Sequence, residues 1–105
     1  GTWNVQGSGE KEVILNIPAQ LLEKMKGISL EQIRGKGTVN ILGFTLEADG
    51  NMVASSDEVK SVSSDNQATY AITLPVGLKA NNGCVLKIHL RLIDKKDAAG
   101  LILIR

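Results

Sequence analysis

The only histidine and the only cysteine of the chain lie close together in the sequence, which raises the question of a chemical site. Cys84 directly precedes the segment VLKIHLRLID of residues 85–94, in which the histidine is His89. A thiol hydrogen-bonded to an imidazole can act as a nucleophile, and both groups are common zinc ligands. In a β-strand, however, side chains an odd number of positions apart point to opposite faces. We therefore predict neither a Cys–His nucleophile nor a zinc site, and expect Cys84 to be a small buried hydrophobe.

The alternation of this segment predicts a cationic ridge on the exposed face of the strand. The apolar face, which must be the core face, carries Cys84, Leu86, Ile88, Leu90 and Leu92. The opposite face carries Lys87, His89 and Arg91, spaced about 7 Å apart along the strand. These cations could bind a carboxylate, sulfate or phosphate group of an acidic polymer. The alternative, which we favour, is a solvated sheet face whose cations pair across strands with acids such as Glu47 or Glu58.

The remaining polar groups predict no catalytic, cofactor-binding or metal site. Serine catalysis needs a base and an orienting acid beside the serine, and no such signature surrounds His89. Residues 49–51, and Asp94 with Asp97, offer oxygen ligands for calcium, but turn chemistry explains residues 49–51 better. The RGKG of residues 34–37 has the glycines of a phosphate loop, yet it precedes a strand, so no helix N-terminus would face a phosphate. The chain is therefore predicted not to be an enzyme and to need no cofactor.

The composition narrows the classes of function. A chain of 105 residues with 43% hydrophobic and 22% charged residues has the size and balance of one globular domain. The net charge of +1 gives no general attraction to nucleic acid or to an anionic membrane. Only 3% of the residues are aromatic, which argues against stacking platforms for bases or sugar rings. The single cysteine cannot form an internal disulfide, and no apolar run approaches the ~18 residues of a membrane span.

Seven short segments have the pattern of β-strands or strand hairpins. They are TWNVQ at Thr2–Gln6, KEVILNI at residues 11–17, the hairpin of residues 37–55, an edge strand within residues 55–67, ATYAITLP at residues 68–75, CVLKIHLRLID at residues 84–94 and LILIR at residues 101–105. In the hairpin, the dipeptide Asp49-Gly50 favours a two-residue turn, because both central positions need positive φ. Such a turn would place Leu46 opposite Val53.

The first strand of the hairpin also changes phase. Val39 and Ile41 share one face, and the other face carries Leu42, Phe44 and Leu46. Gly43 lies beside the change. A β-bulge, or a bend between two sheets, would account for this pattern.

A short helical insert is predicted after the second strand. Pro18 ends that strand and suits the first position of a helix. The sequence AQLLEKMK of residues 19–26 follows, with Leu22 and Met25 at helical spacing and Gly27 as a stop. The SLEQ of residues 29–32 fits a capping box for a second short turn that ends near Gly35. We assign a packing role to this insert.

The core and the last strand give two further expectations. The residues predicted to be mostly buried are Val13, Leu15, Ile17, Leu42, Phe44, Leu46, Tyr70, Ile72, Leu74, Leu86, Ile88 and Leu90. The terminal LILIR is apolar on both faces, so something must cover the face that carries Ile102 and Ile104. The insert of residues 19–26 is favoured as that cover, which predicts a monomer. Without it, Ile102 and Ile104 would form an interaction patch.

Seven strands joined by short turns fit a mainly β, two-sheet antiparallel sandwich. Across the whole chain the pattern resembles the immunoglobulin-like and fibronectin-type modules strung along bacterial surface proteins. The chain departs from that pattern in having no cysteine pair, a tryptophan in the first strand and the helical insert. The resemblance implies one module, residues 1–105, of a longer secreted or cell-surface protein. It further implies a non-catalytic structural, adhesive or interaction role, with neighbouring domains, another surface protein or a polysaccharide as partner.

An alternative fold follows from the first three residues. Gly1-Thr2-Trp3 resembles the Gly-x-Trp that opens lipocalin-like barrels, in which a late arginine packs over the indole. Arg105 or Arg91 could be that arginine. This resemblance implies a small β-barrel that carries an apolar ligand, although a chain with an insert has few residues left for eight barrel strands.

Overall fold

The computed structural model describes residues 1–7, 9–34, 38–63, 69–92 and 97–105. Within these ranges the chain forms nine strands and one short helix. They are β1 (Thr2–Gln6), β2 (Gly9–Ile17), α1 (Ala19–Leu22), β3 (Gly27–Arg34), β4 (Thr38–Ala48), β5 (Asn51–Ser56), β6 (Lys60–Ser63), β7 (Thr69–Thr73), β8 (Cys84–Leu92) and β9 (Asp97–Ile104). No helix among the described residues is long and apolar enough to cross a membrane.

The strands form two antiparallel sheets with the hydrophobic core between them. The four-stranded sheet has the order β1-β9-β3-β7, and the five-stranded sheet has the order β2-β8-β4-β5, with β6 paired to the first part of β4. The predicted mainly β, two-sheet architecture is confirmed, with nine strands in place of seven. The lipocalin-like barrel is wrong, because neither sheet closes on itself. The indole of Trp3 donates to the carbonyl of Glu31, and Arg91 contacts Glu10.

The helical insert is much shorter than predicted. Only Ala19–Leu22 is helical, and the predicted second turn at residues 29–32 lies inside the strand β3. Ile28 and Leu30 alternate with Ser29 and Glu31, which is the period of a strand. β3 also lies between β7 and β9 and forms ladders with both, so its backbone groups are paired on two sides. This pairing across the sheet outweighs the weak local preference of SLEQ for a helix.

β8, which contains Cys84 and His89, lies between β2 and β4 and alternates along its whole length. The five residues of its core face are nearly inaccessible to solvent: Cys84, Leu86, Ile88, Leu90 and Leu92. His89 is half-buried on the opposite face, so the predicted divergence of Cys84 and His89 is confirmed.

The phase change in β4 is a β-bulge. Ile41 lies opposite Leu90 and Gly43 lies opposite His89, so Leu42 and Gly43 together occupy the space of one residue. After the bulge the core positions change from odd to even numbers: Val39 and Ile41, then Phe44, Leu46 and Ala48. Both apolar sets therefore face the same core, and β4 stays beside β8 on both sides of the bulge. The β-bulge that the sequence predicted as one explanation of the phase change is confirmed.

The β4–β5 turn has the predicted conformation but a different register. Asp49 and Gly50 both adopt positive φ, 51° and 83°. A second irregularity follows Leu46, which pairs with Ala54 in place of Val53. The predicted Leu46–Val53 pair is wrong because this bulge inserts one residue on the β5 side.

Most of the predicted core is buried. Nine of the twelve predicted residues lie in the core: Val13, Ile17, Leu46, Tyr70, Ile72, Leu74, Leu86, Ile88 and Leu90. Leu15 and Phe44 are partly buried and pack against it. Leu42 is the exception, since it is only half-buried beside His89, where the bulge places it.

Trp3 occupies a position that the list of predicted core residues omitted. It is 3% exposed, and its cross-strand neighbour on β9 is Gly100. The indole lies over this glycine and donates from Nε1 to the carbonyl of Glu31 on β3, at 2.9 Å. A side chain at position 100 would collide with both groups. Gly100 therefore lets one indole bridge three strands.

The buried Tyr70 and Cys84 predict that the domain loses stability at alkaline pH. Burial raises the pKa of the Tyr70 phenol above its ordinary 10.0, and the carboxylate of Glu58 adds to this effect. Burial, with a contribution from Asp49, raises the pKa of the Cys84 thiol above 9.0. The unfolded chain loses these protons first, so their stabilisation is complete below about pH 8 and is lost as the pH rises through the raised values.

The measurement is the thermal midpoint from about pH 7 to about pH 11, compared between the wild type and Tyr70→Phe. The phenylalanine variant keeps the ring but cannot titrate, so its midpoint should fall less over the alkaline range. An identical fall in both proteins would contradict the assignment to Tyr70.

Candidate functional site

An apolar groove opens at one end of the sandwich. We call it the end groove and define it by the residues that line it, which are Leu22, Glu23, Met25, Lys26 and residues 73–79. Its volume is about 570 Å³, which lies within the usual range for small-ligand sites. The apolar residues that line it are Leu22, Met25, Leu74, Pro75, Val76 and Leu78.

The end groove has two walls, one formed by Leu22, Glu23, Met25 and Lys26 and the other by residues 73–79. Each wall lies next to a strand that stops near a proline. Pro18 ends β2, and the short helix α1 then carries the chain into the first wall. Pro75 follows β7 and begins the second wall, which turns at Gly77 with φ of 73°. Proline has no N–H for a sheet ladder, so both segments leave their sheets here. The backbone N–H of Leu74 donates to the carbonyl of Lys26 at 2.9 Å, which joins the two walls.

The end groove has a buried floor and an exposed lip. Leu22, Met25 and Leu74 are 6%, 7% and 6% exposed, so their side chains belong to the core and form the floor of the groove. Val76 is fully exposed, and Leu78 is half-buried. Val76 extends the apolar lining of the groove to its opening, and small-ligand sites are lined mainly by apolar side chains.

Three charged residues line the end groove: Glu23, Lys26 and Lys79. All three are exposed, and none of them forms an ion pair with another described residue. Two positive charges and one negative charge give this site a net charge of +1. It is therefore apolar inside and weakly cationic.

A carboxylate braces the loop that contains the second wall. Asp49, in the β4–β5 turn, accepts hydrogen bonds from the backbone N–H groups of Asn81 and Asn82, at 3.1 and 2.9 Å. Hydrogen bonds from backbone N–H to a carboxylate are stronger than those between neutral groups. The predicted turn at residues 49–51 thus also stabilises a second loop, through the carboxylate of Asp49. The other predicted oxygen ligand, Asp94, lies outside the described residues.

The cationic ridge is compensated by acids, but not by those predicted. His89 Nδ1 lies 3.3 Å from Glu12 Oε2, and Arg91 contacts Glu10 at 2.5 Å. Both acids lie on β2, directly opposite their partners in the ladder. Glu47, one of the acids expected as partners, lies opposite Val85.

The acids of β2 leave the ridge with little excess of positive charge. Glu10 pairs with Arg91 and Glu12 with His89, while Lys87 has no acid directly opposite it on β2. The cavity beside the ridge has a volume of about 260 Å³, and both glutamates line it. Anion binding by Lys87, His89 and Arg91 stays a prediction, for which the structure offers a less favourable setting than the end groove does.

The other sites considered from the sequence, which were not predicted, lie only partly within the described residues. Among the described residues, no three His, Cys, Asp or Glu side chains lie close enough to hold a metal ion. Cys84 is buried with its thiol free. Of the phosphate-loop sequence, residues 35–37 lie outside the described residues.

The predicted interaction patch at Ile102 and Ile104 is not a continuous surface. Ile102 is 4% exposed and lies in the core, because it pairs with Leu30 in the middle of the four-stranded sheet. Ile104, at the end of β9, is 45% exposed. Ile102 is thus covered by the core between the sheets, whereas the helical insert of residues 19–26 was expected to cover it.

The end groove was absent from the sequence predictions, although a signal for it exists. LNIPAQL at residues 15–21 and ITLPVGL at residues 72–78 share a strand end, a proline and a following leucine. The two segments lead into the two walls, but only the folded chain brings the walls together. No protein-family model matches the chain, and no curated protein matches it.

Proposed function

We propose that this domain is a non-catalytic binding module, and that it captures an apolar group of its partner in the end groove. The observation that carries the proposal is the open apolar groove of about 570 Å³, with a floor in the core and the fully exposed Val76 at its lip. Burying apolar surface there is favourable by about 25 cal/mol per Å². A groove whose floor is already packed needs little reorganisation to bind, which lowers the entropic cost.

The setting of the module is also a proposal. The sandwich architecture is compatible with the modules of bacterial surface proteins that the sequence pattern resembles. We propose a secreted or cell-surface protein of which residues 1–105 form one module, with a structural or adhesive role. The neighbouring domains or a second surface protein would then carry the apolar group.

The test is a titration with the neutral fluorescent probe Nile red. Wild-type protein should give a saturable blue shift of the probe emission. Val76→Glu places a charge at the lip, where desolvation of the carboxylate opposes binding, and should weaken the affinity about tenfold. Val59→Glu is the matched control, because Val59 is also an exposed valine but does not line the end groove. Equal affinities for the two variants would contradict the proposal.

A further inference from the structure

We infer that the end groove binds the alkyl chain of a small anionic amphiphile, a straight-chain fatty carboxylate free in solution, with its carboxylate near Lys26 and Lys79. This inference rests on the proposed function and names the chemical class of the ligand.

The backbone around the end groove disfavours a peptide bound as an added strand. Binding of that kind needs free main-chain donors and acceptors on the receptor. The N–H of Leu74 already donates to the carbonyl of Lys26, and the N–H of Leu78 donates to the carbonyl of Pro75. The apolar side chains that line the end groove are aliphatic. An alkyl chain is complementary to that surface because it leaves no polar group unpaired.

The charged side chains at the end groove favour a ligand with an anionic head group. Lys26 and Lys79 are free of ion pairs with other described residues, against a single acid, Glu23. The ridge on β8 differs in part, because Glu10 and Glu12 lie directly opposite Arg91 and His89, although Lys87 has no acid opposite it on β2. Long lysine side chains can keep the ammonium group in water while their methylene groups cover an apolar ligand. A carboxylate at the mouth would remain solvated and close to these two cations.

The experiment compares three ten-carbon amphiphiles below their aggregation concentrations: decanoate, decanol and decyltrimethylammonium. Binding is followed by two-dimensional NMR of labelled protein, which reports both the affinity and the residues that shift. We expect the affinity order decanoate, decanol, decyltrimethylammonium, with shifts centred on residues 22–26 and 73–79. In a series from hexanoate to decanoate, each added methylene should tighten binding about threefold to fourfold until the groove is full.

Charge reversal tests the head-group contact. The double variant K26E/K79E should bind decanoate about tenfold more weakly than the wild type and bind decanol within about twofold of it. The double variant K11E/K60E is the matched control, because it makes the same change in net charge away from the end groove. If it weakens decanoate binding equally, the assignment to Lys26 and Lys79 is overturned.

The outcomes separate this inference from the proposed function. Equal affinity for the three head groups, with binding lost in Val76→Glu, would overturn the anionic ligand and leave the binding groove intact. Shifts confined to other surfaces, or no binding of any amphiphile together with no Nile red response, would overturn both.

Discussion

Replacing Gly100 by alanine is expected to prevent the domain from folding. A Cβ atom at this position would lie between the indole nitrogen of Trp3 and the carbonyl oxygen of Glu31, well inside contact distance of both. It would break the hydrogen bond that joins them and force β9 away from β3, its neighbour in the middle of the sheet. We expect a loss of at least about 4 kcal/mol, which approaches the whole stability of about 5–15 kcal/mol typical of a small domain.

The measurement is urea unfolding followed by circular dichroism. Gly50→Ala is the control, because Gly50 has positive φ but open space around its Cβ position, so only backbone strain of about 1–2 kcal/mol is added. Trp3→Phe adds a second comparison, since it removes the Nε1 donor and keeps an aromatic ring over Gly100. A folded Gly100→Ala variant with the stability of Gly50→Ala would show that the indole and the sheet can move apart cheaply.

Replacing Gly43 by alanine is expected to cost more than about 3 kcal/mol. Gly43 adopts φ of 142°, a conformation that residues with a side chain rarely take. A Cβ atom there would also collide with the carbonyl oxygen of Ser56, where the chain leaves β5. Strain and collision act at the same residue, so neither can relax without opening the bulge. Thermal unfolding of Gly43→Ala measures the loss.

Deleting Gly43 altogether should be less damaging than substituting it. The deletion leaves one residue of β4, Leu42, opposite His89 on β8, so the ladder becomes regular and Ile41 and Phe44 keep their core positions. The deletion removes the residue with positive φ and its collision with the carbonyl oxygen of Ser56. Only the connection after Ser56 must change its conformation. A deletion variant that is less stable than Gly43→Ala would show that the bulge itself, and not the conformation of Gly43, stabilises this sheet.

Local patterns predicted the parts of the fold in which one element decides its own structure. The period of two along β8 assigned its core face, and it separated Cys84 from His89 without any knowledge of the neighbouring strands. Asp49-Gly50 predicted its turn because both residues tolerate positive φ. Gly43 marked the bulge because the apolar residues around it change phase.

Where two structures were locally acceptable, the sequence predicted the wrong one. The capping pattern SLEQ predicted a helical turn, whereas the alternation of Ile28 and Leu30 indicates a strand. The segment is too short for its periodicity to decide between the two. The ladders with β7 and β9 satisfy backbone groups that a short helix would leave unpaired, and these ladders depend on residues at least 38 positions away. The register of β5 failed for a related reason, because the bulge after Leu46 is not marked by any residue type.

The sequence by itself determined which residues face the core in regularly alternating strands such as β7 and β8, since alternation is a property of the local backbone. It also determined that Cys84 and His89 cannot meet. Only the tertiary structure decided which strands are neighbours, and therefore that Glu10 and Glu12 lie opposite the cations of β8. It likewise decided that the two segments after Pro18 and Pro75 enclose one groove. The physical reason is that the order of the strands and the contact between distant loops depend on the apolar surface that both sheets bury together. No single segment of the sequence encodes that sum.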